Sequence, residues 1–312
     1  MAARPAPLSL LIDTDPGVDD ALALLIAFSA PGVEVAALTI AAGNVGLDHT
    51  VANALKLCEL AGVDVPVFPG CAVPLVCTPE DASYVHGRDG FGDAGYLPAR
   101  RAAQAEHAAL AMIRLSHERP GGLCFVMLGP LTNLALALRL DPTLPQRVPR
   151  LVIMGGAVNG RGNTSVPAEF NIGFDPEAAH IVFTHWPRFE LVDWEATLAH
   201  PLPHAKVESW LATGSDKAAF YAAISRATRD WSRHRSHDDW HCADALAMAS
   251  VVAADGIIEQ STRPVALELH GQHTRGATVV DWLRRSGRPD NADILLRYDR
   301  ARFEKLVTAA LV

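Results

Sequence analysis

The sequence is short of lysine: four (Lys56, Lys206, Lys217, Lys305) stand among 27 basic residues in a chain of 312. The balance is acidic, with a formal net charge of −8. Binding to phosphate backbones needs a basic surface, so nucleic acid is not an expected partner. Cysteine is sparse too, with five residues (Cys58, Cys71, Cys77, Cys124, Cys242), odd in number and without CxxC spacing. That argues against a disulfide framework or a zinc site and fits a reducing compartment. No apolar run approaches the roughly 18 residues that would span a bilayer, so no membrane partner is expected. The opening "MAARPAPLSLLIDTD" lacks an apolar signal core followed by a small-residue cleavage site. The expectation is a soluble, cytoplasmic protein. No repeat, low-complexity tract or Pro/Ser-rich linker divides the chain, which predicts one domain over residues 1–312.

What is present is alternation. Short apolar runs at 8–13, 33–42, 65–70, 124–129 and 150–156 read as buried strands. Between them, 19–29, 49–62 and 131–140 carry helical spacing of apolar residues. Continuous apolar strands alternating with helices predict an α/β fold with an open, mostly parallel, Rossmann-like sheet covered by helices on both faces. In such folds ligands gather beyond the carboxyl ends of the strands. The unusual residues do follow strands: "DTDPGVDD" (13–20), "GN" (43–44), "GPLTN" (129–133) and "GGAVNGRGNTSVPAEFN" (155–171).

The first of these places Asp13, Asp15, Asp19 and Asp20 within eight positions, between an apolar strand and an apolar helix. Carboxylates that close, pressed against a core, repel unless paired or bound to a metal. Oxygen donors suit the hard cations Ca²⁺ and Mg²⁺. The alternative is helix capping plus solvated acids. A further isolated acid, Asp244, ahead of the apolar "ALAMASVVA", favours the metal.

The motifs "DTDPGVDDALAL", "AAGN", "HGRDGFGD", "LGPLTNLA", "VIMGGAV", "GNTSVPAEFNIGFDPEAA" and "ADALAMA" carry a resemblance. In this order they are similar to those of the inosine–uridine nucleoside hydrolase family. The resemblance implies one Ca²⁺ at the bottom of the site, held by Asp15, Asp20, Asp244 and the backbone carbonyl of Leu128. It further implies that Asp15 takes a proton from the attacking water. Asp19, Asn44, Asn163, Glu169 and Asn171 would hold the ribose hydroxyls, with Met154 beneath the sugar ring. A homodimer or homotetramer acting on a ribonucleoside would follow. Breaking an N-glycosidic bond builds positive charge on the ribose, which an acid-rich pocket stabilises.

One departure stands out. Many members place a histidine, and some purine-specific ones a tryptophan, directly before the last metal aspartate; here it is Ala243. His241, three residues before Asp244, is the candidate leaving-group acid, on one helical face with Asp244 if the helix starts early. Trp240, Trp231, His234 and His237 lie in the same segment, able to stack on a base or donate to it. His86, in "VHGRDGFGD", is a base-side candidate against a loop-ordering role. Arg88 and Asp89 are expected to pair with each other or with solvent, and Asn133 to cap the helix after it. Asp13, by strand alternation, should face away from the metal. Two other readings remain: a ribose- or nucleoside-binding homologue with weakened catalysis, and a Mg²⁺ phosphohydrolase built on "IDTD".

Overall fold

The strand expected at 8–13 forms as β1 (Leu8–Thr14) in a computed structural model that describes residues 7–236 and 239–312, without the side chains of 234–236. There follow α1 (Val18–Ser29), β2 (Val33–Ile40), α2 (Leu47–Ala61), β3 (Val67–Pro69), α3 (Ser83–His86), α4 (Ala108–Glu118) and β4 (Cys124–Met127). Next come α5 (Thr132–Leu140), α6 (Leu144–Arg147), β5 (Arg150–Met154), α7 (Phe170–Phe174), α8 (Pro176–His185), β6 (Phe189–Val192) and α9 (Trp194–Ala199). The chain continues through β7 (Leu202–Pro203), α10 (His204–Leu211), α11 (Asp216–Ser236), β8 (Asp239–Trp240) and α12 (Ala243–Val252). It ends with β9 (Ile257–Arg263), β10 (Val265–Leu267), β11 (Thr278–Val280), β12 (Ala292–Tyr298) and α13 (Arg300–Ala310).

Eight strands form the main sheet in the order β3-β2-β1-β4-β5-β6-β12-β9. Its pairs are parallel except β12 with β9. Side chains of β1 alternate between two cores, as a strand buried on both faces requires. Leu10 and Ile12 join the cluster holding α1, α12 and α13, while Leu11 joins the one holding α4, α5 and α8. The open, mostly parallel sheet with helices on both faces is thus present.

The chain leaves β1 toward β2 on one side and later returns to β4 on the other. That makes the carboxyl end of β1 the switch point where a crevice opens. Helix α1 is buried from Asp20 through Ala27, and α12 from Ala243 through Val251. Burying each large apolar side chain of α1 is worth roughly 1.5–3 kcal/mol. The packing therefore carries the helix's acidic N-terminus into the interior.

Candidate active site

Pro16 and Gly17 turn the chain sharply between β1 and α1, leaving Asp15 and Asp20 fully buried and Asp19 partly so. Asp20 accepts from the Gly17 N–H (3.0 Å), from Asn44 Nδ2 (2.9 Å) and from the Thr14 hydroxyl. Its bond from Gly17 is half of a capping box, so the capping alternative holds for this one residue. Asp15 Oδ2 accepts the Asn44 N–H at 2.7 Å. Asp15 Oδ1 is buried with no hydrogen-bond partner among the described residues. A Cβ at Gly43 would fall 2.1 Å from Asp15 Oδ2, and one at Gly129 2.4 Å from Oδ1. Two glycine backbones, one after β2 and one after β4, therefore make the slot for this carboxylate.

Asp244, in the first turn of α12, completes the cluster. Asp19, Asp20 and Asp244 each bring one oxygen within 4.8 Å of the others. This triangle contains Asp19 where the resemblance implied Asp15. Burial and the charge of Asp20 push Asp15 and Asp244 well above the usual carboxylate range. Burial pushes Asp19 and Asp20 up to about 6. Buried, mutually repelling carboxylates with an orphaned oxygen fit a hard divalent cation. The donor set is all oxygen, which argues against a soft-metal site.

A pocket opens over this cluster, and among the described residues its lining contains neither lysine nor arginine. Asp19, Asn44, Leu128, Met154, Asn171 and Asp244 border it. Asn171 Nδ2 donates to the Leu128 carbonyl (2.7 Å) and toward Met154 Sδ (3.1 Å). Asn163 and Glu169 also line the pocket, but both are engaged. Asn163 Oδ1 accepts the Phe170 N–H at 2.8 Å. Glu169 caps α7, accepting from Asn171, Ile172 and Gly156 N–H groups. Burial lifts its carboxyl to about 7. Of the expected positions whose side chains are described, Asp15 and Asp20 lie outside the lining, and both hydrogen-bond to Asn44, which is in it.

The lining also holds several aromatic rings. Trp240 is buried on β8, which pairs with β7, so it is a strand residue with one side on the pocket. His241 lines the pocket in the turn before α12. The helix does not start early, because Cys242 takes the N-cap position, so His241 shares a pocket with Asp244 and not a helical face. Burial lowers its imidazole from the ordinary value. His86 Nδ1 accepts the Val18 N–H (3.1 Å), tying its loop to α1, and the same ring borders the pocket. Burial holds it at about 4, so the ring is neutral and Nε2 carries the proton. Trp231 sits at the mouth; the side chain of His234 and the whole of His237 lie outside the described residues.

Two expectations are corrected. Asn133 does not cap α5, whose N-cap is Leu131. Its amide instead donates to Asp13 Oδ2 (2.9 Å) and accepts the Cys71 N–H (2.8 Å), on the β1 face opposite Thr14. Arg88 pairs with Asp93 (3.6 Å) and not Asp89. Asp89 Oδ1 accepts the N–H groups of Phe91 and Asp93, folding its own loop. Sequence reasoning also missed Trp194 and Glu195, which follow β6 and so obey the strand-end rule that found Asp15. Trp194 lines the pocket with its ring 6.2 Å from that of His241. Glu195 holds Asn159 and Arg161 in the loop that leads to Asn163.

Comparison with known proteins agrees with this geometry. Residues 10–305 match the model of the family described as inosine-uridine preferring nucleoside hydrolase. A Leishmania major protein named inosine-uridine preferring nucleoside hydrolase is 38% identical, covering 98% of each chain. A non-specific ribonucleoside hydrolase RihC from Salmonella schwarzengrund is 36% identical, covering 97% of each. A solved inosine-guanosine nucleoside hydrolase superposes with a TM-score of 0.91 at 33% identity, over 97% of this chain and 98% of that one.

Proposed function

This chain belongs to the inosine-uridine preferring nucleoside hydrolase family, and on that premise we propose that it hydrolyses the N-glycosidic bond of ribonucleosides with Ca²⁺ as its cation. The continuous eight-stranded sheet supports reading residues 1–312 as one domain. One observation carries the proposal: four carboxylates meet at the switch point, beneath a pocket whose lining combines amides and aromatic rings.

Asp15, Asp20, Asp244 and the Leu128 carbonyl would hold the cation, whose oxygen preference matches theirs. When bound, it supplies the positive charge that offsets the cluster and acidifies a neighbouring water. Asp15 Oδ1, unbonded and held in its glycine slot, takes the proton from the attacking water. Asp19 accepts from a ribose hydroxyl, and Asn44, whose amide N–H groups bond the Asp15 carbonyl and Asp20, offers its Oδ1 as a further acceptor. Asn171 fixes the floor through Leu128, and Met154 packs beneath the sugar. Glu169 offers one remaining lone-pair site after its three backbone bonds, enough for a single hydroxyl. Positive charge developing on the ribose is stabilised by the surrounding carboxylates. His241, held neutral by burial, assists the departing base as an N–H donor, and His86 Nε2–H is a second donor.

A Mg²⁺ phosphohydrolase is disfavoured because phosphate recognition draws on arginine or lysine, and among the described residues the lining has neither. The binding-protein reading draws on Ala243, which borders the pocket without a proton to give. Initial rates on inosine, guanosine, uridine, cytidine and p-nitrophenyl riboside test the proposal directly. Release of free base from natural ribonucleosides, lost on calcium chelation and restored by Ca²⁺, is the expected result. Binding of nucleosides without base release from any of them would establish the binding-protein reading instead.

A further inference from the structure

The turn between β1 and α1 carries Asp15 and Asp19 on either side of Pro16, Gly17 and Val18, so its backbone decides where both carboxylates point. Three polar groups of that backbone are held from outside by side chains. The Asp15 carbonyl accepts from Asn44 Nδ2 (3.1 Å), the Pro16 carbonyl accepts from Asn53 Nδ2 (2.8 Å), and the Val18 N–H donates to His86 Nδ1 (3.1 Å). Asn44 and His86 also line the pocket, whereas Asn53 stands on α2, fully buried and outside the lining. Its amide is fully engaged: Nδ2 gives its second proton to the Asp89 carbonyl (2.8 Å), and Oδ1 accepts the Tyr96 hydroxyl. One side chain thus joins the acid turn to the loop that follows His86. The join is tight. A Cβ at Gly90, whose φ is +80°, would fall 2.8 Å from Asn53 Nδ2 and 3.2 Å from the Pro16 carbonyl oxygen, so glycine is what lets the loop approach.

We propose that Asn53 is a positioning residue for the cation site: its amide fixes the Pro16 peptide, and with it the carboxylates on either side, in register with the loop after His86. The inference rests on the cation-site reading above and adds to it a residue from outside the pocket lining. Asp15 packs against the Gly43 and Gly129 backbones closely enough to exclude a methyl group. The turn therefore cannot shift without moving that carboxylate in its slot. A buried amide with every donor and acceptor engaged resists such a shift, because each lost bond leaves a polar group unpaired in the interior. Asn53 is also uncharged, so its loss changes the geometry of the cluster and not its charge.

The test is calorimetric Ca²⁺ titration of the chelated protein, with melting temperature read alongside. The wild type, Asn53→Leu, Asn53→Ser and Tyr96→Phe are compared at a temperature where each is folded. Asn53→Leu keeps the side-chain volume and removes the amide, and should raise the Ca²⁺ dissociation constant by about ten- to a hundredfold. Asn53→Ser, which offers a single donor, should fall between Asn53→Leu and the wild type, and it carries the comparison if Asn53→Leu does not fold. Tyr96→Phe leaves both Nδ2 bonds in place and unpairs only Oδ1. It should melt lower, while its Ca²⁺ binding stays at the wild-type value. Asn53 variants that melt lower but bind Ca²⁺ as the wild type does would show that the amide serves the fold alone, and would overturn the inference. Equal loss of Ca²⁺ affinity in Tyr96→Phe would overturn it too, because affinity would then follow stability and not the Pro16 bond. A wild type that binds no Ca²⁺ overturns the cation reading itself, and this inference with it.

Discussion

The polar floor and the aromatic wall of this pocket, read above as its sugar and base sides, are built on opposite principles. The floor is polar and buried, and its groups interlock: Asn44 alone bonds Asp15 through its N–H and Asp20 through its amide. Polar groups in a low-dielectric interior must be satisfied, so each floor residue constrains its neighbours. The wall is made of rings on α9, α11 and β8, and apolar packing accepts many fillers of similar size. The floor is thus constrained to one arrangement, while the wall is freer to vary.

The largest effects should come from breaking the floor. Asp15→Asn keeps an acceptor for the Asn44 N–H and fits the same glycine slot, so the fold should persist. Loss of the base should lower kcat by about 10²–10⁴-fold, read from steady-state rates on inosine with circular dichroism as the folding control. Near-normal turnover would exclude Asp15 as base. Asp244→Ala should abolish stoichiometric Ca²⁺ by elemental analysis, and it should raise the melting temperature of the cation-free protein by removing one of the repelling carboxylates. Retained Ca²⁺ would take Asp244 out of the ligand set.

The floor also has a signature in pH. In the cation-free protein, burial lifts Asp13 and Glu169 to about 7, and Asp19 and Asp20 to about 6. The folded state then holds protons more tightly than the unfolded chain. Stability is fully present below the unfolded carboxylate values and is lost as pH rises through the folded ones. The melting temperature of chelated protein should therefore fall between about pH 4 and pH 7. On the proposed ligand set Ca²⁺ would bind the ionised cluster, so the stabilisation it gives should grow across the same interval. A melting temperature independent of pH there, with and without Ca²⁺, would separate these carboxylates from the cation.

The contrast between floor and wall explains what could be read from the sequence. Density of charge beside apolar runs exposed the floor, because capping a helix start accounts for one carboxylate, Asp20, and not for Asp15 and Asp19 beside it. The sheet was legible for a similar reason, since strands buried on both faces stand out as unbroken apolar runs. Asn133 looked like a cap because it follows a turn; only its distance in space from Asp13 and Cys71 revealed a bridge of long sequence separation. Trp194 was hidden because a tryptophan after an apolar strand reads as core. Nothing local shows that one side of the ring meets a cavity. His241 was found by proximity to Asp244 along the chain, but the helix start that was to align them lies at Ala243.

On the wall, His241→Ala sharpens the division between binding and leaving-group assistance. It should lower kcat on inosine by about 10²-fold and act much less on p-nitrophenyl riboside, whose leaving group needs no proton. Equal losses on both substrates would show that the ring serves packing against Trp194 and not the departing base.

The smallest expected effect joins the two halves. Glu195 sits one residue after Trp194, and its carboxylate accepts the Asn159 N–H (3.0 Å), the Asn159 amide (2.7 Å) and the Arg161 N–H (3.1 Å). It thereby ties the start of α9, which presents the wall, to the loop that delivers Asn163 to the sugar. Hydrogen bonds to a charged group contribute roughly 1.5–3 kcal/mol when buried, but the loop beyond them is exposed and water replaces part of the loss. Glu195→Ala should therefore raise KM and the ribose inhibition constant by about three- to tenfold with kcat nearly unchanged, a range below the full hydrogen-bond value. Glu195→Gln keeps one acceptor oxygen and should recover most of the affinity. A fall in kcat without a change in KM would mean that the carboxylate acts on the wall through Trp194 instead of on the sugar through its loop.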